Sequence, residues 1–291
     1  MNGILIIDKE KDYTSRDVVN IVGKALNTRK IGHTGTLDPI ATGVLVLCIG
    51  EATKLVELVT ADEKEYVAEV ILGVSTDSLD ITGNVLEEND SLIEKKQIEE
   101  VLNKFKGKYE QEVPKYSAVK IKGKKLYEYA RNNEEVVLPK REVNIKEIEL
   151  LNYKQENNKT IFSFRCVVSK GTYIRSLIRD IASSLNTIGV MANLKRIRQG
   201  KFNIKESYTI SDIKNGNYKL IDIGDVLNCK RVTVTKELEV KIRNGVLVPN
   251  IYETDIVLFI NENKELISLY KKYDKDESLL KPWKMFRGGI K

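Results

Sequence analysis

The chain has 291 residues, room for one large domain with a small one or for two of middling size, and its 42% hydrophobic and 31% charged residues are those of a soluble globular protein. A single histidine excludes histidine-rich metal sites, three scattered cysteines exclude zinc ribbons, and no apolar run approaches the roughly 20 residues that cross a bilayer. The net charge of +6 mildly favours an anionic partner.

The first apolar run, Ile4-Leu5-Ile6-Ile7, is strand-length and stopped by Asp8. With no basic leader and no small-residue cleavage site, it is not read as a signal peptide, and a cytoplasmic location is expected. Thr14-Ser15-Arg16-Asp17 reads as a capped helix start, followed by a helical apolar face of Val18, Val19, Ile21, Val22, Ala25 and Leu26. Next comes a glycine-bracketed loop, Gly32-His33-Thr34-Gly35-Thr36-Leu37-Asp38-Pro39-Ile40-Ala41-Thr42-Gly43, and a buried strand over residues 44–49. The loop places one carboxylate, Asp38, near the only histidine, and Pro39 biases Asp38 towards extended backbone. A carboxylate held on a loop fixed to a buried strand suits chemistry. An ordinary Asp-Pro turn also accounts for the spacing.

Further along, residues 66–72 read as a strand entered from Lys64, and Ile98, Val101, Leu102 and Phe105 mark an amphipathic helix. Residues 161–168 read as a strand. Ser169-Lys170-Gly171-Thr172 reads as the turn into a helix that buries Ile174, Leu177, Ile178, Ile181 and Leu185, with Thr172 as its cap. From about Arg231 the pattern changes to short β-type runs such as 232–234 and 256–260, which puts a domain boundary near Cys229. Cys48 and Cys166 lie in apolar runs and the cysteine count is odd, so free thiols are expected.

There is no Walker phosphate loop and no nucleophile elbow. Asp77-Ser78-Leu79-Asp80 lacks the alternating acids of a calcium loop and reads as a strand-end turn. What remains is chemistry that an unaided carboxylate can do. Arg175 falls in the first turn of its helix, where the dipole disfavours a cation, so either a nearby anion or simple solvation keeps it there. Tyr66 could face a pocket or pack, and spacing leaves His33 undecided. Lys106, Lys108, Lys115, Lys120, Lys122, Lys124, Lys125 and Arg131 alternate with Tyr109, Tyr116, Tyr127 and Tyr129. That mixture suits a phosphate backbone and stacked bases, and equally a solvated hairpin.

Taken together, these segments resemble the tRNA pseudouridine-55 synthases. The resemblance rests on Gly3-Ile4-Leu5 with Lys9 and Thr14-Ser15, the loop from Gly32 to Gly43, and Lys64-Glu65-Tyr66. It continues in Pro114-Lys115-Tyr116-Ser117-Ala118-Val119-Lys120, Leu126-Tyr127-Glu128-Tyr129-Ala130-Arg131, Ser169-Lys170-Gly171-Thr172-Tyr173-Ile174-Arg175, and the run from Leu194 to Phe202. It implies an α+β fold in which helices flank a mixed, largely antiparallel central sheet. The implied catalytic domain is 1–229, with an RNA-clamping insertion at about 108–141, and 230–291 would form a small β-barrel-like PUA domain. By the same resemblance Asp38 is the catalytic aspartate, Tyr66 stacks on the target base, and Arg175 pairs with Asp38. His33 would fill the T loop as the uridine leaves, Tyr173 and Leu194 would line the uridine pocket, and Lys64 would be the basic residue before Tyr66. Lys120, Lys122, Lys124 and Arg131 would contact RNA from the insertion. The implied reaction is isomerisation of uridine to pseudouridine at position 55 of the tRNA T loop, by base flipping, with no cofactor, metal or membrane, by a monomer. Val113, Glu10, Asp12-Tyr13 and Lys195 depart from the family's usual residues, and none is a proposed catalytic group. The competing expectations are a non-catalytic tRNA-binding or folding protein and a guide-RNA-dependent synthase.

Overall fold

The computed structural model describes residues 1–60, 62–132 and 134–290; position 133 of the expected insertion and 291 of the expected C-terminal domain lie outside the described residues. Strand β1 (Gly3–Lys9) leads to helix α1 (Ser15–Ala25), then β2 (Ile31–His33), β3 (Thr42–Ile49) and a single turn, α2 (Val56–Val59). β4 (Glu63–Leu72) precedes a small hairpin, β5 (Val74–Thr76) and β6 (Val85–Glu88), and helix α3 (Lys95–Lys104). β7 (Gly107–Glu112) enters a segment that holds β8 (Lys120–Ile121), β9 (Lys124–Lys125) and α4 (Leu126–Arg131). β10 (Lys140–Glu156), β11 (Lys159–Ser169), α5 (Ile174–Ser184), β12 (Gly189–Gln199) and β13 (Phe202–Asn203) follow. After α6 (Ile210–Lys214) and α7 (Ile223–Val226), β14 (Lys230–Thr233), α8 (Lys236–Arg243), β15 (Val248–Pro249), β16 (Ile256–Ile260), β17 (Leu266–Tyr273) and β18 (Asp276–Ile290) build the C-terminal part.

The large sheet runs β1-β3-β12-β4-β11-β10-β7, with β2 on β3 and β13 on β12. Its ladders are antiparallel except between β3 and β12, which meet only at Thr42–Lys195 and Gly43–Arg196. The other end of β3 pairs with β2, at Leu47 to Ile49. β3 therefore changes partner along its length, and the loop at 34–41 emerges at the split. The mixed, largely antiparallel sheet expected from the sequence is present. A second, five-stranded sheet, β14-β16-β17-β18-β15, begins at Lys230.

Strands β1 and β3 are buried on both faces, which is why they read as unbroken apolar runs. Leu5, Ile7, Leu45, Leu47 and Ile49 face a core shared with Val18 and Val22 of α1 and Leu177, Ile178 and Ile181 of α5. Their neighbours Ile4, Ile6, Val44, Val46 and Cys48 face the opposite way, onto Leu258, Leu269 and Phe286 of the second sheet. Each such side chain stabilises by about 1.5–3 kcal/mol relative to exposure, so this pair of strands is a rigid base for whatever its loop carries. No helix among the described residues is long and apolar enough to cross a membrane.

Three sequence expectations are corrected. Tyr173, with extended backbone, is the N-cap of α5, and it offers no side-chain cap. Thr172 instead donates its hydroxyl to the Ser169 carbonyl at 2.9 Å, closing a turn in which Gly171 has φ +83°. The ends of the expected insertion are also part of the sheet: residues 108–112 pair with 140–144, so only the chain between them stands off. The C-terminal part is not strands alone either, since α8 forms with i,i+4 pairs Glu237–Lys241 and Glu239–Arg243.

The β3–β12 contact requires glycine. Gly43 has φ +98°, and a Cβ there would sit 2.2 Å from the Arg196 carbonyl oxygen. Gly43→Ala is expected to destabilise the protein by at least about 2 kcal/mol. Urea unfolding would show it as a lower midpoint with unchanged slope, and an unchanged midpoint would show that the strands need not approach so closely.

Candidate active site

The loop at 34–41 is tied down through its backbone. Thr34 N–H donates to the Val46 carbonyl (3.1 Å), Ala41 N–H to the Asp38 carbonyl (3.1 Å) and Asp12 N–H to the Pro39 carbonyl (2.9 Å). The buried Ser15 hydroxyl accepts from Leu37 N–H (2.9 Å) and donates to the Leu37 carbonyl (3.2 Å). Two buried cations complete the mooring. Lys9 donates to the carbonyls of Tyr13 (2.6 Å), Glu10 (2.9 Å) and Pro39 (3.3 Å). Arg196 donates to those of Val44 (2.7 Å), Gly35 (3.0 Å) and Thr36 (3.4 Å). Burial lowers the Lys9 ammonium to a pKa of about 8. With its carbonyls bound, the loop holds its conformation without using the Asp38 side chain, which is left to the cleft.

Asp38 Oδ2 lies 3.0 Å from Arg175 Nη2; the arginine side chain is 7% exposed and the aspartate 38%. The guanidinium is thus held inside while the carboxylate faces solvent. Arg175 also donates to the carbonyls of Ser78 (2.9 Å) and Tyr116 (3.0 Å), and its Nη1 lies 3.9 Å from Asp80 Oδ2. Asp80 is itself fixed by Ser78 Oγ (2.9 Å) and Thr82 N–H (3.0 Å). The start of α5 is positioned by buried Gln111 on β7, whose amide clasps the Tyr173 backbone: N–H to Oε1 at 2.8 Å and Nε2 to the carbonyl at 3.1 Å. Ser176 Oγ adds a 2.8 Å bond to the Glu112 carbonyl.

These parts enclose a cleft of about 640 Å³ lined by seven of the residues expected from the sequence: His33, Asp38, Lys64, Tyr66, Tyr173, Arg175 and Leu194. Tyr66 faces Arg196 across the β4–β12 ladder and Cys166 across β4–β11. Burial raises its phenol pKa, with the Arg196 charge opposing, so the hydroxyl keeps its proton at neutral pH. Burial lowers Lys64 to about 8. His33 is pulled down by burial, then by the charges of Arg16 and Arg196, and is a neutral ring at pH 7. Its buried Nδ1 has no hydrogen-bond partner among the described residues. The Arg141 guanidinium stands 5.6 Å from the Tyr173 ring.

The four basic residues expected on the insertion are not in the cleft. Lys120 and Lys122 are exposed on the β8–β9 hairpin. Lys124 pairs with Glu134 and lies 4.6 Å over the Tyr129 ring. Arg131 lies 5.4 Å over the ring of Tyr127, and Tyr127 itself lines the cleft with Tyr116, Ser117 and Ala118. Sequence reasoning missed Arg196, Lys9, Ser15 and Gln111 as supports of the loop and helix, and set Asp80 aside as a turn. Lys9, Ser15 and Arg196 stood inside quoted motifs; Gln111 carried no signal beyond being one polar residue in a strand.

Among the described residues no group of three or more His, Cys, Asp or Glu could hold a metal ion. The cleft offers a carboxylate set by a buried guanidinium, an aromatic and aliphatic platform of Tyr66, Tyr173 and Leu194, and a cation at Lys64. That combination suits a flat polar ring attached to a phosphate.

The fold is shared with a chain in the structure of an H/ACA RNP bound to a substrate RNA containing 2'-deoxyuridine, at TM-score 0.69 and 23% identity over 98% of this chain and 85% of that one. Residues 23–174 match the model described as TruB family pseudouridylate synthase (N terminal domain), which sets the class as pseudouridylate synthases. The chain is 39% identical to "tRNA pseudouridine synthase B" of Mesoplasma florum over 99% of its length and 98% of that protein's. It is 42% identical to the protein of the same name from Caldicellulosiruptor saccharolyticus over 84% of this chain and 83% of that one. The chain belongs to the TruB family.

Removing the Arg196 side chain leaves the Gly35, Thr36 and Val44 carbonyls without their donor. Arg196→Met is expected to cost about 2–4 kcal/mol and to speed amide exchange at Leu37 and Ala41 ahead of the strand amides. Wild-type protection at those amides would mean that the loop does not depend on the arginine.

Proposed function

We propose that this protein converts uridine to pseudouridine at position 55 in the T loop of tRNA, with Asp38 acting on the nucleoside. The observation that carries this reading is the open Asp38 carboxylate paired with the buried Arg175 guanidinium at 3.0 Å. The isomerisation breaks the N1–C1′ bond, joins C1′ to C5 of the same base and moves the C5 proton to N1 through solvent or a side chain. Nothing is gained or lost, so no co-reactant is needed. The step requires a group that meets the developing positive charge or forms a transient bond, a pocket that retains the detached uracil, and a route for the C5 proton.

Asp38 meets the first requirement, by attack at C1′ or C6 or by assisting elimination to a glycal. Arg175 fixes its oxygens by a charge-assisted hydrogen bond. Tyr66 and Leu194 hold the uracil, and the protonated Tyr66 hydroxyl lies within the same cleft. The uridine must leave the stack to reach Asp38, at a cost of a few kcal/mol, and the neutral His33 ring offsets part of it by stacking in the vacated place. Lys64 meets phosphate. The chain between β7 and β10 folds over the RNA, and residues 230–291 form a PUA-like second RNA contact to the catalytic part, 1–229. The protein works as a monomer in the cytoplasm.

Tritium release from tRNA carrying 5-³H-uridine tests the reaction: wild type should release it and Asp38→Asn should not, while tRNA affinity stays within a few fold. Equally weakened binding would make Asp38 structural. Tyr66→Phe should bind tRNA normally and lose most of the rate; near-normal turnover would remove the hydroxyl from the proton route. Lys64 loses its charge as pH rises through about 8, so tRNA binding should weaken several fold between about pH 7 and 9. Lys64→Arg should flatten that decline, and an identical decline in the variant would assign it to another group.

A further inference from the structure

A second concavity shares Arg16 with the cleft that holds Asp38. Arg16, Asn20, Lys24, Asn27 and Arg29 line a groove of about 600 Å³ with Ile31 on its wall, and no carboxylate is among its lining residues. Arg16, Asn20 and Lys24 are spaced by four, so they form one stripe along α1. The stripe is about 12 Å long at 1.5 Å per residue, equal to roughly three to four steps of a stacked strand at 3.4 Å each. Every side chain on it can donate, and none of the three cations has an ion-pair partner among the described residues. The neighbouring Lys30 differs, since it is tied to Glu51 at 2.7 Å. Arg16 sits in the first turn of α1, where the dipole opposes a cation.

The groove borders the cleft at Arg16. Arg16 lines both, and its charge is one of those that lower His33. β2 runs from Ile31 on the groove wall to His33 at the cleft mouth, two residues or about 7 Å away. A strand whose nucleotide is turned into the cleft beside His33 would pass its flanking phosphates over Arg16 into the groove.

We propose that Arg16, Lys24 and Arg29, with the amides of Asn20 and Asn27, bind consecutive phosphates of the RNA strand that flanks the target uridine. This rests on the reading of the cleft as a uridine-isomerising site, and it adds the path the strand takes out of that site. The contact is sequence-independent, because the donors face phosphate rather than base edges. It acts through counterion release, so it sets affinity and its salt dependence.

The test compares wild type, Lys24→Ala, Arg29→Ala, Lys24→Glu/Arg29→Glu and a charge control, Lys96→Glu. Lys96 is exposed on α3, outside both concavities. Binding of unmodified tRNA is measured from low to high salt, alongside tritium release. Each alanine variant should flatten the slope of log affinity against log salt by about 1, and the double reversal should raise KM by tenfold or more with the smaller effect on kcat. Lys96→Glu should leave both slope and KM at the wild-type values. Wild-type slopes in the alanine variants, or an equal effect of Lys96→Glu, would overturn the groove assignment. Active wild-type enzyme with unaffected groove variants would reject the groove alone, whereas inactive wild-type enzyme would reject the underlying reaction.

Discussion

The cleft depends on one ion pair with an asymmetric setting. Arg175 is buried and Asp38 is open. Burying a guanidinium is costly unless its donors are used, and here they are: one carboxylate at 3.0 Å, two backbone carbonyls at 2.9 and 3.0 Å, and Asp80 at 3.9 Å. Those partners come from three parts of the chain outside α5: the 34–41 loop, the turn after β5 and the segment after β7. One side chain therefore couples the position of the carboxylate to the packing of helix, hairpin and insertion. The segment that carries Tyr116 and Tyr127 cannot leave the cleft without giving up a hydrogen bond to the same guanidinium.

The loop has a second layer of support in which two buried cations bind backbone carbonyls. Lys9 and Arg196 are fully buried and donate to backbone carbonyls. The cost is visible in Lys9, lowered by burial to about 8. The Arg196 charge opposes the rise in the Tyr66 phenol and, after burial and Arg16, helps keep His33 neutral. Placement of the loop at the point where β3 exchanges β2 for β12 gives Arg196 its access, since its own backbone lies against Gly43 there.

What the sequence made legible was the part encoded locally. The α1 capping box, the two-sided burial of β1 and β3 and the β4, β11 and α5 patterns arise from neighbours within a few residues. Seven of the motif residues share one cleft because they sit at fixed points on those elements. The missing parts are non-local. Gln111 and Tyr173 are 62 positions apart, as their hydrogen bonds show, and nothing in either neighbourhood announces the clasp. Asp80 looked like a turn residue because it is one, and its proximity to Arg175 is a property of the packed fold. Thr172 was misassigned because a threonine before a helix suits both a cap and a turn, and the positive φ of Gly171 decided for the turn. The lysines of the insertion, read as RNA contacts on that segment, stand outside the cleft.

The fork of Arg175, and not merely a positive charge near it, orients Asp38 for the reaction proposed above. Arg175→Lys keeps the charge and removes the fork, so single-turnover pseudouridine formation on pre-bound tRNA separates the two. The account expects the rate constant to fall by about 100-fold or more, with tRNA affinity within a few fold of wild type. A rate near that of wild type would contradict it, and would show that charge alone suffices at this position.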